Sequence, residues 1–243
     1  MKPFLGELIG TALLVLLGDG VVANVVLKGT KGNNAGWIVI TMGWALAVFV
    51  GVVASSPASD GHLNPAVTIA MAYAGKMSWS LVPTYFAAQM LGAMLGAFLV
   101  WAQYKQHFDA TDDQNLKLGV FCTGPAIRST FWNMISEIIG TFVLVYAALS
   151  ISSPTGQIGS ISSLPIAAVV AVVGISLGGT TGYAINPARD LGPRIMHCLL
   201  PIPNKRDGDW AYAPVPVIGP ILGGLLAAVV HGFFVGQTNS GPI

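Results

Sequence analysis

The sequence predicts an all-α membrane protein with six transmembrane helices and two re-entrant half-helices, arranged as an inverted repeat. Three observations lead to this fold class. Of the 243 residues, 53% are hydrophobic and only 9% are charged, whereas about a quarter of the residues of an average soluble domain are charged. Six apolar segments are long enough, or nearly so, to cross a membrane. The second half of the chain also repeats landmarks of the first.

Each apolar segment is interpreted as a spanning helix, since about 20 apolar residues cross a hydrocarbon core about 30 Å thick. The first segment could instead be a secretory signal peptide, but Glu7 interrupts its apolar run and its pattern recurs far downstream. The fifth is shorter than the others. The segments are Phe4–Leu27, Trp37–Ser55, Leu81–Tyr104, Phe131–Ser153, Leu164–Gly179 and Val215–Val235.

The repeat has two landmarks in the same order. "GELIGTALLVL" from Gly6 resembles "SEIIGTFVLVY" from Ser136, and "NPAVT" from Asn64 resembles "NPARD" from Asn186. Each copy contains three spans, and an odd number of crossings makes the second copy enter from the opposite face. Inverted repeats of this kind are typical of transport proteins. The predicted organisation is one domain over residues 1–243, with repeats at about 1–107 and 128–243.

Each Asn-Pro pair predicts the start of a half-helix, because Asn is a favoured N-cap and Pro is favoured at the first helical position. The run after Asn64 is about ten residues long, to Ala74, which rises about 15 Å, or half a bilayer. In an inverted repeat the two half-helices enter from opposite faces and their N-termini meet. The alternative is two ordinary capped helices in loops.

The meeting of two helix N-termini has chemical consequences. Each carries roughly half a positive charge, so together they repel cations. The side-chain oxygen of a cap asparagine binds its own helix, which leaves the NH2 groups of Asn64 and Asn186 as donors. Non-helical backbone at membrane depth is tolerated only when protein buries it or when it lines a wet cavity. The paired half-helices therefore indicate a pore.

The second copy of the motif carries charges that the first lacks. The differences are Tyr183 for Gly61, Arg189 for Val67 and Asp190 for Thr68. Charge inside a membrane is costly and indicates function by default. Residues four apart on a helix face each other, so we expect Asp190 to pair with Arg194 in a structural role. Arg189 is then left to face the pore, where it would repel cations and donate to oxygen atoms.

Two NPA boxes on half-helices within a six-span inverted repeat resemble the major intrinsic protein family, the aquaporins and glycerol facilitators. The resemblance implies the aquaporin fold, a homotetramer with one pore per subunit, and a multi-pass protein of the plasma membrane with cytoplasmic termini. The distribution of Lys and Arg over the loops indicates the opposite orientation, so the orientation rests on the resemblance. The boxes are Asn64, Pro65, Ala66 and Asn186, Pro187, Ala188.

The resemblance also implies a selectivity filter formed by Trp44, Gly174, Tyr183 and Arg189. Water-selective members have His at the position of Gly174 and usually Phe at that of Trp44, so this set, with Asp190, resembles the glycerol-facilitator branch. Gly174 is expected to leave space beside the arginine, and Trp44 to supply an apolar wall. Tyr183 departs from the usual Phe, and its hydroxyl would narrow the pore and favour water and compact oxygenated solutes.

Glu7 and Glu137 occupy equivalent positions in the two repeats and allow two interpretations. They could relay protons, as in coupled transporters, or accept hydrogen bonds from the non-helical backbone before each half-helix. We favour the second. His62 is expected beside the pore or stabilising its loop, and Gln89 is expected to join helices. Asp19 is expected at the outer interface or beside a partner residue.

The sequence therefore predicts a passive channel for glycerol and other small uncharged solutes, with water conduction and exclusion of ions and protons. Candidate solutes include urea, dihydroxyacetone and protonated lactic acid. The alternatives are a water-selective aquaporin and, from another class, a proton-coupled secondary transporter using Glu7 and Glu137. No motif for catalysis, metal or cofactor binding is evident, and the net charge of +1 gives no basic face for nucleic acid. The lipid bilayer and the transported solutes are the expected partners.

Overall fold

The computed structural model describes residues 1–151 and 159–239, and these residues form an all-helical bundle. Two short 3-10 turns, Trp79–Leu81 and Gly159–Ser163, precede α4 and α7. The α-helices of the described ranges are α1 (Lys2–Val26), α2 (Trp37–Ser55), α3 (Pro65–Tyr73), α4 (Val82–Ala110), α5 (Gln114–Phe121), α6 (Thr130–Ile151), α7 (Leu164–Leu177), α8 (Pro187–Leu199) and α9 (Pro214–Asn239).

The helices agree with the predicted spans, and the predicted fold class is confirmed. Five helices, α1, α2, α4, α6 and α9, are long and apolar enough to cross a membrane. The fifth predicted span corresponds to α7 and is short, as the sequence indicated: with the last three residues of its 3-10 turn it covers Ile161–Leu177. The predicted end of the fourth span, Ser153, lies outside the described residues.

The connection between the repeats differs from the prediction. The third span was expected to end at Tyr104, but α4 only kinks there and continues to Ala110. The following segment contains a short helix, α5, which the sequence analysis treated as a polar connection. Asp113 caps it by accepting hydrogen bonds from the N–H groups of Asn115 and Leu116, at 2.7 and 3.3 Å. The buried side chains of Leu118, Val120 and Phe121 attach it to the bundle.

The packing is equivalent in the two halves. α1 packs against α2 and α4, and α6 packs against α7 and α9 in the same way. Each half-helix packs against the last helix of the other half, α3 against α9 and α8 against α4. The two halves therefore interlock through their half-helices. The repeat boundaries at about 107 and 128 remain a prediction.

Glycines permit the closest helix contacts. A Cβ atom at Gly92 or Gly96 of α4 would collide with carbonyl oxygens of Leu8 and Ala12 in α1. At Gly223 of α9, a Cβ atom would collide with the carbonyl oxygen of a residue in α6. Small residues let membrane helices approach through their backbones, because lipid supplies no hydrophobic drive for helix association. In both equivalent pairs, α1–α4 and α6–α9, glycines therefore allow the backbones to come into contact.

Several basic residues on the face opposite the termini hold loops in place. Lys117 is buried and donates to the carbonyl of Pro203 at 2.6 Å, and Arg128 forms an ion pair with Asp209. Lys205 donates to three carbonyl groups at the C-terminal end of α8, at 2.5 to 2.7 Å. These side chains have local structural partners, so a simple count of loop charges is a poor guide to the orientation of this chain.

Substitution of Gly92 by Ala tests this packing. We expect Gly92→Ala to destabilise the protein by ~1–3 kcal/mol, because the new methyl group forces α1 and α4 apart. Gly20→Ala in α1 is the matched control, since a Cβ atom there meets nothing within 4 Å. The measurement is thermal unfolding in detergent, followed by tryptophan fluorescence. Equal melting temperatures for the two variants would contradict the packing argument.

Candidate functional site

The two half-helices begin beside each other at the centre of the bundle. The side-chain oxygen of Asn64 accepts from the N–H of Ala66 at 2.9 Å, which caps α3. Asn186 caps α8 by accepting from the N–H groups of Ala188 and Arg189, at 3.0 and 3.2 Å. Both asparagines are buried except for a few per cent of their surface. The Pro and Ala residues that follow each of them are buried in the half-helices.

The cap asparagines also bind each other's loops. The NH2 group of Asn64 donates to the carbonyl of Ile185 at 2.8 Å, and that of Asn186 donates to the carbonyl of Leu63 at 2.7 Å. Each NH2 group is thus a donor, but one of its hydrogens is already bound to the opposite loop. An amide NH2 has two hydrogens, so one N–H of each asparagine remains for a ligand. The bonds that consume the other hydrogens fix the directions of the two that remain.

Glu7 satisfies the backbone of the loop before α3 (residues 56–64). It is fully buried and accepts from the N–H groups of His62 and Leu63, at 3.0 and 2.7 Å. It also accepts from the hydroxyl of Ser59 at 2.9 Å and from the side chain of Gln89 at 2.8 Å. Four donors converge on this one carboxyl group, which replaces the water that lipid does not supply to the loop.

Glu137 has the same role in the loop before α8 (residues 178–186). It accepts from the N–H groups of Ala184 and Ile185, at 3.0 and 2.9 Å, and from the hydroxyl of Thr181 at 2.7 Å. Ile185 and Tyr183 have positive φ angles of 44° and 38°, which are unfavourable for side chains with a Cβ atom. The hydrogen bonds to Glu137 hold this strained backbone in place.

His62 and Gln89 stabilise the first half-helix. The ring nitrogen Nδ1 of His62 lies 3.2 Å from the hydroxyl of Thr68, and its ring lies 5.0 Å from that of Tyr85. Gln89 of α4 donates to the same hydroxyl of Thr68, at 3.0 Å, as well as to Glu7. Gln89 therefore joins three helices, while His62 both supports its loop and lines the cavity described below.

Asp190 and Arg194 pair with each other, as their spacing predicted. Arg194 Nε lies 2.9 Å from Asp190 Oδ1, and both side chains are fully buried. Asp190 also accepts from the N–H and hydroxyl of Thr123, each at 2.7 Å, and Arg194 donates to the carbonyl of Gly208 at 2.6 Å. A buried ion pair needs such further hydrogen bonds to offset its desolvation. The pair connects α8 to two loops and lies outside the cavity lining.

Arg189 lies against an aromatic wall. Its guanidinium carbon is 4.1 Å from the centre of the Trp44 ring, a distance at which a cation is attracted to the ring face. The Trp44 ring packs in turn on Gly18 of α1, where any side chain would collide with it. The predicted filter residues Trp44 and Arg189 are therefore in direct contact, and α1 sets the position of the tryptophan.

The structure corrects the role expected for Gly174. A Cβ atom at Gly174 would lie 2.7 Å from Cζ of Tyr183, so the tyrosine ring covers the glycine. Trp37 holds this arrangement by donating from its indole N–H to the carbonyl of Gly174 at 3.0 Å. The rings of Trp37 and Tyr183 also contact edge to face, with centroids 5.8 Å apart. Gly174 therefore contributes space for Tyr183 rather than an open slot.

Asp19 also lies beside the cluster of Trp44, Tyr183 and Arg189, which the sequence did not predict. Its side chain is fully buried in α1, and Oδ1 lies 3.9 Å from Nη1 of Arg189. Charged residues inside a membrane usually pair with one another, so a basic partner for Asp19 was to be expected. The sequence alone did not reveal that α1 and α8 bring these two residues together.

One cavity of about 650 Å³ connects these elements. Both cap asparagines line it, as do Trp44, Tyr183 and Arg189. It extends to the loop that follows α2, at Ser56 and Asp60. Aliphatic side chains from five helices form much of its wall, including Leu14, Val48, Val67, Leu144 and Val170. The cavity thus combines a long apolar surface with polar groups from the loops and from Arg189.

Comparisons with known proteins agree with this architecture. A family model described as "Major intrinsic protein" matches residues 1–231. The chain is 54% identical over 234 residues to the glycerol uptake facilitator protein of Streptococcus pneumoniae, covering 96% of this chain and 100% of that one. It is 54% identical over 231 residues to the probable glycerol uptake facilitator protein of Thermotoga maritima, covering 95% and 98% of the two chains.

A solved structure is similar over nearly the whole length. The X-ray structure of the aquaglyceroporin from Plasmodium falciparum matches with a TM-score of 0.86 and 30% sequence identity, covering 98% of this chain and 97% of that one. The family match, the relatives and the fold agree with each other. The chain belongs to the major intrinsic protein family of integral membrane channels.

Proposed function

We propose that this chain is a passive channel for glycerol and other small uncharged solutes, which pass through the cavity between the half-helices. The observation that carries the proposal is the cavity of about 650 Å³ that is lined by both cap asparagines and by Trp44, Tyr183 and Arg189. The similar proteins are glycerol uptake facilitators and an aquaglyceroporin, which supports the choice of solute.

The lining suits a molecule with a carbon backbone on one side and hydroxyl groups on the other. The aliphatic wall and the ring of Trp44 accept the carbon side by apolar contact. The remaining N–H groups of Asn64 and Asn186, with those of Arg189, donate to the hydroxyl oxygens. A linear polyol can satisfy both sides at once, which lowers the cost of leaving water.

Ions and protons fail for separate reasons. The N-terminal ends of α3 and α8 place positive potential at the centre of the cavity, which opposes cations. Ions of either sign lose their hydration against an aliphatic wall. Donors at the two asparagines orient passing water oxygens, which interrupts the continuous hydrogen-bonded chain that proton conduction needs.

We further propose that the channel conducts water, urea, dihydroxyacetone and protonated lactic acid. From the family resemblance, we also propose that it forms a homotetramer in the plasma membrane with cytoplasmic termini. A water-selective pore is the second candidate within the channel class, and one observation favours it. The Tyr183 ring fills the space over Gly174, which narrows the slot that a polyol would use.

Osmotic reswelling of proteoliposomes tests the main proposal. We expect glycerol to enter vesicles containing the protein much faster than empty vesicles, and a larger polyol such as a six-carbon sugar alcohol to enter both at the same rate. Val170→Trp should reduce glycerol entry by about tenfold or more, because the indole fills the cavity that Val170 lines.

Val172→Trp is the matched control on the same helix. Val172 is 53% exposed, whereas Val170 is 5% exposed and faces the cavity, so the control places the same indole on the outer surface. Glycerol entry that does not exceed that of empty vesicles would refute the channel. Equal inhibition by both tryptophans would place the path elsewhere.

A pH-gradient experiment separates the channel from a proton-coupled transporter. The hydrogen bonds of Glu7 and Glu137 favour a structural role, because their oxygens are occupied by loop N–H groups and hydroxyls. We therefore expect glycerol flux to be the same with and without an imposed pH gradient, and to rise linearly at high glycerol concentration. Flux that follows the pH gradient, or that saturates, would favour the transporter.

Tyr183→Phe tests the contribution of the hydroxyl to solute choice. Tyr183 lines the cavity, and its buried hydroxyl has no hydrogen-bond partner among the described residues. Its removal should widen the slot and raise the ratio of glycerol to water permeability by about two- to tenfold. The ratio of lactic acid to glycerol permeability should fall. Unchanged ratios in reswelling measurements at equal protein content would contradict this role.

A further inference from the structure

Asp19 is a buried acid that the proposed transport path leaves without a role. Its side chain has no exposed surface, and neither of its carboxyl oxygens has a hydrogen-bond partner within the described part of the chain. Glu7 and Glu137, by contrast, accept four and three hydrogen bonds respectively. An acid that holds no loop in place requires a different explanation, because burial of an unpaired carboxylate is costly.

Arg189 is the basic residue within ion-pair distance of Asp19, with Nη1 at 3.9 Å from Oδ1. Nη1 is itself buried and has no hydrogen bond among the described residues, so the guanidinium presents this corner to Asp19 and its other N–H groups to the cavity. The neighbouring acid, Asp190, binds Thr123 and Arg194 instead. Asp19, rather than the acid next to it in sequence, is therefore the carboxyl group that lies beside Arg189.

Two consecutive residues of α1 thus support both walls of the filter. Gly18 provides the surface on which the Trp44 ring packs, and Asp19 lies beside the guanidinium that contacts this ring. Because α1 is a rigid helix, Trp44 and Arg189 take their positions from one fixed element. Gly18 and Asp19 are therefore two residues of α1 that contact the filter.

We propose that Asp19 is a specificity-determining residue that cancels the charge of Arg189, so that the filter rejects anions as well as cations. This inference rests on the proposed channel function. An unbalanced arginine in a narrow apolar passage would attract small carboxylates and lower the barrier to their entry. With Asp19 behind it, the guanidinium keeps its hydrogen-bond donors and loses its net attraction for anions. Organic acids then pass only in their uncharged forms.

The test uses vesicles that contain sodium lactate at pH 7 and are diluted into sucrose of equal osmolarity, with a potential-sensitive dye. Loss of lactate anions makes the interior positive, and loss of sodium makes it negative. Wild-type vesicles should develop no more potential than empty ones. Asp19→Asn should produce an interior-positive potential at a rate at least about tenfold above wild type, since a unit charge this close strongly changes an anion's energy.

Asp112→Asn is the matched control, because it removes an acid that is 95% exposed and paired only with a lysine at the surface. It should behave as the wild type. Asp19→Glu should also exclude lactate, since it keeps the negative charge. An Asp19→Asn protein that conducts glycerol but develops no potential would overturn the inference, and so would a wild-type protein that passes lactate anions.

A second pair of variants keeps the inference testable if Asp19→Asn does not fold. Arg189→Gln leaves Asp19 unbalanced and should give an interior-negative potential, which the double variant Asp19→Asn/Arg189→Gln should lack. Equal potentials in these two proteins would overturn the inference. Glycerol reswelling of the wild type is measured in parallel. Its absence would refute the channel itself, whereas its presence with unchanged anion exclusion in Asp19→Asn would refute only the role of Asp19.

Discussion

The non-helical backbone at the centre of the bundle is the constraint on which the rest of this structure depends. Two loops bring peptide groups to a depth where lipid offers no hydrogen bonds, so the protein itself must satisfy them. Glu7 and Glu137 accept the loop N–H groups, and Asn64 and Asn186 bind the carbonyls of the opposite loops. The cavity exists because these polar groups hold the half-helices end to end.

The same constraint explains which residues could be charged. Each intramembrane charge in the described structure has a specific neighbour: the two glutamates have their loops, Asp190 has Arg194, and Arg189 has Trp44 and Asp19. Glycines beside these sites let α1 pack directly against α2 and α4, so that the charged groups lie within contact distance of their partners. The pairing of the buried charged groups therefore depends on the close packing of the helices.

The sequence predicted the fold well because its signals are local or repeated. Apolar run length marked the spans, and the Asn-Pro pairs marked the half-helices and their caps. The sequence did not predict contacts between side chains that come from helices distant in the chain. Nothing near Gly174 in sequence reveals that Tyr183 covers it, and nothing near Asp19 reveals Arg189. The helix α5 was missed because its polar cap and short apolar face resemble a surface loop.

The reciprocal bonds between the two caps also bear on how the molecule is assembled. Glu7 and its loop belong to the first repeat, so this loop can be fixed while the chain is still being inserted. The bond from Asn64 must wait for Ile185, which is synthesised 121 residues later. Until the second half is present, the centre of the first half lacks this bond, and each reciprocal bond needs a residue from both halves. In a protein made of one repeat alone, the cap asparagine would lack the carbonyl group that it binds in the other repeat.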